Sequence, residues 1–114
     1  MEMIVHLHPE VFEIVESGVK DVEARVYDEK RRKLKIGDTL VFLKRPLEEE
    51  KIVAKVVDLK VFKNFLELGK FYEMKRLYLE NYTLEMWLDV LKQFYSEEEV
   101  NKNGVVAIVF EQVK

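Results

Sequence analysis

The first segment, Met3 to Leu7, is β-rich and alternates, with Met3, Val5 and Leu7 on one face and His6 on the other, the signature of a half-buried strand. Pro9 then stands at the first position of a helix whose apolar side is Val11, Phe12, Ile14 and Val15, and Gly18 after Ser17 supplies a left-handed stop. From Lys20 to Tyr27 the period returns to two. Val22, Ala24 and Val26 fall on one face of that strand, and Asp21, Glu23, Arg25 and Tyr27 on the other. Residues 28 to 35 read as a charged connection that ends in the Gly37-Asp38 turn. Two further strands are expected, Thr39 to Leu43 and about Ile52 to Leu59, joined through Pro46 and the run Glu48, Glu49, Glu50.

From Phe62 to Tyr95 the apolar spacing becomes helical, with Thr83 as cap for a helix carrying Leu84, Trp87, Leu88 and Leu91. Ser96 and Glu99 have capping-box spacing for one more short helix. Asn103-Gly104 then opens a last strand through Val105, Val106, Ile108 and Phe110. A terminal strand that comes after a helical insert must return to pair with the early strands, which predicts an α+β fold. No repeat or linker interrupts the chain, so residues 1 to 114 are expected to form one domain.

Composition narrows the chemistry. The chain has no cysteine, which excludes a disulfide framework, a thiolate metal site and a thiol nucleophile. Charged residues make up 36% of the chain, with abundant Lys and Glu as in heat-adapted proteins, and belong on the surface. Met1 to Leu7 carries Glu2 and His6 and has neither signal-peptide nor membrane-span character, so a cytoplasmic protein with no membrane association is expected. A net charge of -3 argues against coating nucleic acid by bulk electrostatics but leaves room for a local basic site. His6 and His8 alternate along a strand without further histidines or cysteines to complete a metal site, so neither metal nor cofactor is expected.

The candidate chemistry concentrates on the 20 to 27 strand and the basic stretch after it. Glu23 and Arg25, two apart, project from one face, so a carboxylate and a guanidinium together offer an acceptor and a donor edge to a ligand. Lys20 lies on the other parity if the strand is regular, and a bulge or turn would bring it to the same rim. Lys30, Arg31, Arg32, Lys33 and Lys35 form the densest positive run of an otherwise acidic chain, suited to phosphates or simply to guarding a strand edge. Tyr27 beside that run is suited to base stacking or to packing on the sheet. The aromatics from Phe62 to Trp87 read as helical core, and the acidic runs at 48 to 50 and 97 to 99 as solvated.

Gly18, Lys20, Glu23 and Arg25 complete a G-x-K-x-x-E-x-R element, and Lys35-Ile36-Gly37-Asp38 with the strand ending at Phe42 comes after it at the spacing of the same family. The segment from Pro9 through Phe42, and more loosely Gly104 to Phe110, resembles the ASCH domain family. The resemblance implies a small PUA-like mixed β-barrel with short helices around it, a cleft lined by this motif beside the Gly18 turn, and a partner that is RNA or a nucleotide-like ligand. One branch of the wider family resembles amidohydrolases acting on acetylated cytidine through a Lys, a Thr and a Glu. Lys20 matches the first of these, Glu80 in Glu80-Asn81-x-Thr83-Leu84 resembles the last, and Glu23 takes the place of the threonine. Lys20, Glu23 and Glu80 are therefore the catalytic candidates for an enzyme, with Glu23 as general base rather than nucleophile. A third alternative is an interaction scaffold in which the charged motif only steadies the barrel. The ligand's identity and the oligomeric state do not follow from the sequence.

Overall fold

The computed structural model describes residues 1–113. Strand β1 (Glu2–Leu7) buries Met3, Val5 and Leu7 and exposes the residues between them, as the alternation requires. Helix α1 (Pro9–Glu16) starts on its proline and buries Val11, Phe12 and Val15. It stops where Gly18 adopts φ 86°, a conformation that side chains with a Cβ resist. Strand β2 (Val22–Val26) comes next, then helix α2 (Glu29–Arg32), strand β3 (Thr39–Lys44) and the long strand β4 (Lys51–Phe62). Helices α3 (Phe65–Phe71), α4 (Met74–Leu77), α5 (Leu84–Lys92) and α6 (Glu97–Asn103) lead to strand β5 (Val105–Gln112).

The five strands form one sheet in the order β1-β3-β4-β5-β2, with β1 and β3 parallel and the other neighbours antiparallel. It is a mixed α+β fold of the PUA-like type, with the sheet curled into a half-barrel. The terminal strand returns as expected and joins β4 to β2. Val106, Ile108 and Phe110 on one face of β5 enter a core shared with β1, β3, β4 and α1. Val105 and Ala107 on the other face enter a second core with Val22, Val26 and the helices that carry Phe65, Leu68, Leu77 and Trp87. A strand buried on both faces reads as a continuous apolar run, which is what the Val105–Phe110 sequence is.

Two elements differ from the sequence reading. The charged connection at 28 to 35 contains a helical turn, α2, because the Asp28 side chain accepts the Arg31 N–H and so caps it. Phe62 belongs to β4, paired with Val105, rather than to the helical region; the strand runs past Leu59 because β5 gives it partners as far as Phe62. The predicted caps hold at the other helices. Thr83 accepts from Met86 N–H, and Ser96 with Glu99 makes the reciprocal capping box. Gly69 is where α3 meets α5 most closely: a Cβ there would lie 2.4 Å from Leu84 Cδ1 and 2.8 Å from the Trp87 ring.

Candidate functional site

β2 places its two sets of side chains by register. Val22, Ala24 and Val26 pair with Val109, Ala107 and Val105 and share their face, towards the helical core. Glu23 and Arg25 pair with Ile108 and Val106, so they point to the side of the core that α1 covers. The expectation that they share a face holds: Arg25 Nη2 donates to Glu23 Oε2 at 3.2 Å. Glu23 is 8% exposed and the Arg25 side chain 24%.

Lys20 joins this pair despite its parity in the sequence. Its N–H donates to Ile14 O at the end of α1, and the chain enters the regular strand only after Asp21, whose N–H donates to Arg76 O. Freed of strand parity, the Lys20 side chain turns inward and is 2% exposed. Its Nζ donates to the carbonyls of Val22 and Leu77, the latter at 2.7 Å, and to Glu23 Oε1 at 3.4 Å. Three acceptors around one nitrogen use all three hydrogens of an ammonium, so the geometry is that of a charged lysine.

Burial pulls the Lys20 amine below the ordinary lysine range, opposed by the Glu23 carboxylate. Burial by itself would raise Glu23. The adjacent Lys20 and Arg25 charges outweigh it and hold the carboxyl below its usual range. Arg25 is pushed further up, first by Glu23, with smaller help from the Tyr95 hydroxyl. The result is a carboxylate locked between two cations. One of its oxygens faces the buried ammonium and the other faces a guanidinium that reaches towards solvent.

The cleft expected beside the Gly18 turn is closed around Lys20 and Glu23. Two open surface grooves lie elsewhere: one of about 380 Å³ among Phe65, Leu88, Leu91, Tyr95 and Val100, and one beside Glu99, Lys102 and Asn103. Tyr95 borders the first groove and also approaches Arg25.

The basic run divides. Arg31 pairs with Asp28 at 3.0 Å, while Arg32 lies over the Tyr27 ring, 4.4 Å from its centroid, and donates to Asn103 O. Tyr27 also packs on the α1-side core, so one face is covered by Arg32 and part of its edge is buried. Lys30, Lys33 and Lys35 are exposed, and among the described residues none of them has a carboxylate partner within ion-pair distance. Glu80 is exposed in the turn between α4 and α5. Among the described contacts it neither bonds to Lys20 nor perturbs it, so the three catalytic candidates do not converge.

His6 Nδ1 lies 3.0 Å from Glu48 Oε1, and His8 is the residue before α1, without a side-chain cap. Among the described residues no group of three or more His, Asp and Glu is placed to hold a metal. Sequence reading missed three participants. Leu77 contributes a backbone carbonyl, which no side-chain pattern reveals. Arg76 grips Asp21 through Nε at 2.7 Å and Nη2 at 3.2 Å across 55 positions of chain, and Tyr95 approaches Arg25 from the helical region.

The family description for the ASCH domain matches residues 5–114. Among solved structures, the chain is similar to the hypothetical protein PH0355, with 35% identity over 99% of this chain and 100% of that one and a TM-score of 0.85. It is also similar to PF0455 from Pyrococcus furiosus, with 32% identity over 100% and 99% of the two chains and a TM-score of 0.80. A mutant form of ZmASCH from Zymomonas mobilis has the same fold at 14% identity, with 99% of this chain and 75% of that one aligned and a TM-score of 0.66. No curated protein matches the chain.

Proposed function

The chain belongs to the ASCH domain family, and from that premise we propose that residues 1 to 114 act as one binding domain for RNA or a nucleotide-like ligand. Arg25, oriented by Glu23, reads the ligand's hydrogen-bonding edge, and Lys30, Lys33 and Lys35 contact phosphate. The observation that carries this reading is the three-point fixation of Lys20, which holds Glu23 in one orientation and thereby aims Arg25. A guanidinium fixed at one N–H and partly exposed has further donors for a planar acceptor edge, and no ordering entropy remains to be lost at its root. The unpaired lysines that come after β2 in the chain supply the charge that a phosphate backbone needs without making the whole molecule basic.

The hydrolase alternative has less geometric support. An ammonium whose three hydrogens are all engaged by protein acceptors has none left to polarise a substrate carbonyl, and Glu80 does not reach it. Titration of short single-stranded RNAs at several salt concentrations tests the binding reading. With three to five phosphates contacted, log affinity should fall with log salt at a slope of roughly -2 to -3.5. Absence of binding at low salt would refute it.

A further inference from the structure

A cluster of aromatic rings and cations lies on β4, α3 and α4, apart from the Lys20, Glu23 and Arg25 site. Phe71, at the end of α3, is 59% exposed although it is a large apolar side chain. It is nevertheless held firmly. Its ring centroid is 4.8 Å from that of Tyr72 at an interplanar angle of 71°, and 5.6 Å from that of Phe62. Tyr72 is buried and Phe62 half-buried, so the exposed ring stands on an anchored base. Lys60 Nζ lies 4.6 Å from the Phe71 centroid and 5.9 Å from that of Phe62, and the Arg76 guanidinium lies 5.3 Å from the Tyr72 centroid.

The charges around it are unevenly satisfied. Arg76 is taken by Asp21, Glu73 is within 3.6 Å of Lys75, Glu67 turns back to the Lys63 N–H, and Asp58 accepts its neighbour's N–H. Lys60, Lys63 and Lys70 are exposed, and among the described residues none has a carboxylate partner within ion-pair distance. Lys63 and Lys70 are the chain neighbours of Phe62 and Phe71. A packed, exposed ring with one unpaired cation over it and two more at the positions next to Phe62 and Phe71 in the chain suits a ligand that is flat and anionic at regular intervals. A single-stranded nucleic acid has that chemistry, with bases that stack and phosphates that pair with lysine. An apolar protein partner would leave the three lysines desolvated and unpaired.

We propose that Phe71, with Lys60, Lys63 and Lys70, is a stacking site for a base of single-stranded RNA, separate from the Glu23–Arg25 pair. The proposal rests on the reading of the protein as an RNA binder and extends it to strands long enough to engage two places. Arg76 connects them: it lies against Tyr72 on one side and grips Asp21, the neighbour of Lys20, on the other.

The test is the affinity of the intact protein for a labelled tetranucleotide and a dodecanucleotide, measured for the wild type and for Phe71→Ala, Phe71→Leu and Phe71→Tyr. The wild type should bind the longer strand more tightly. Phe71→Ala and Phe71→Leu should each weaken it about tenfold, and Phe71→Tyr should retain it, because stacking needs a ring rather than apolar bulk. Tetranucleotide binding through Arg25 should be unchanged, which also shows that the variants fold. Lys60→Ala should make the salt slope for the long strand shallower by about 0.7.

Wild-type affinity in Phe71→Leu would overturn the stacking site while leaving the RNA-binding reading intact. Equal loss for both strands would assign Phe71 to stability instead. A wild type that binds neither strand would remove both proposals, and self-association that Phe71→Ala abolishes would make the patch a protein contact.

Discussion

The two charged parts of this molecule that adjoin β2 behave in opposite ways. Before and within the strand, Lys20 and Glu23 are taken out of water with Arg25 half-buried beside them, and every hydrogen of the lysine ammonium has an acceptor. After it, Lys30, Lys33 and Lys35 stand in solvent without a carboxylate partner among the described residues. Both are dense clusters of charge in the sequence, yet one sets geometry and the other only sets a field. Charges in a low-dielectric site are held by their partners and are costly to disturb, whereas exposed ones are screened and independent. An interface that needs both direction and attraction is served by one of each.

The sharpest way to break the comparison is Glu23→Ala. It leaves the Lys20 ammonium buried with two carbonyls and no counter-charge, and removal of one member of a buried ion pair costs about 3–5 kcal/mol. Chemical unfolding should show a loss of stability of that order, and a loss below about 1 kcal/mol would mean that water reaches the pair. Gly69→Ala tests the helical side independently. A Cβ would collide with Leu84 and Trp87, so a destabilisation of about 1–3 kcal/mol is expected from overpacking, read by the same denaturation curve.

Acid titration should probe the buried cluster directly. The Glu23 carboxyl is held below its unfolded value of about 4.3, so its contribution is fully present above that pH and is lost as pH falls through the folded value. Stability measured below about pH 4.3 should therefore decline in the wild type with a component that Glu23→Gln lacks. Parallel acid limbs in the two proteins would contradict the assignment.

Arg25→Ala is expected to lower RNA affinity about tenfold and change base preference while leaving the salt slope within about 1 of the wild type. Its effect on stability should be small because Lys20 still neutralises Glu23. The mildest change structurally is the triple replacement of Lys30, Lys33 and Lys35 by alanine. Stability should stay within about 0.5 kcal/mol, and the salt slope should become shallower by about 2, reflecting three lost single-strand phosphate contacts. Arg31→Ala and Arg32→Ala, in contrast, should affect local order first. Arg31 closes onto Asp28, and Arg32 is laid on Tyr27 and tied to Asn103.

Much of this architecture is written in local pattern. The alternation of β1, the proline start and glycine stop of α1, the Thr83 cap and the Ser96–Glu99 box depend on residues within one or two turns of each other, and the structure has all of them. The shared face of Glu23 and Arg25 is equally local, since a regular strand admits no other outcome. The α2 turn was legible in principle from Asp28 standing three residues before Arg31, but a run of cations masked it. Residue composition could not tell Phe71 from the buried aromatics around it either, because its exposure depends on where α3 ends against β4.

Local sequence was thus enough for the five strands, the starts of α1, α5 and α6, the family motif and the shared face of Glu23 and Arg25, because hydrophobic period, caps and strand parity act over a few residues. It took the folded chain to turn Lys20 inward onto the carbonyl of Leu77, 57 positions away, and to close Arg76 on Asp21. The fold likewise keeps Glu80 outside and leaves two exposed groups of lysines unpaired among the described residues. Those outcomes depend on which backbone oxygens and charges the curled sheet brings within about 3 Å of one another, where a hydrogen bond forms. No spacing along a chain encodes that distance.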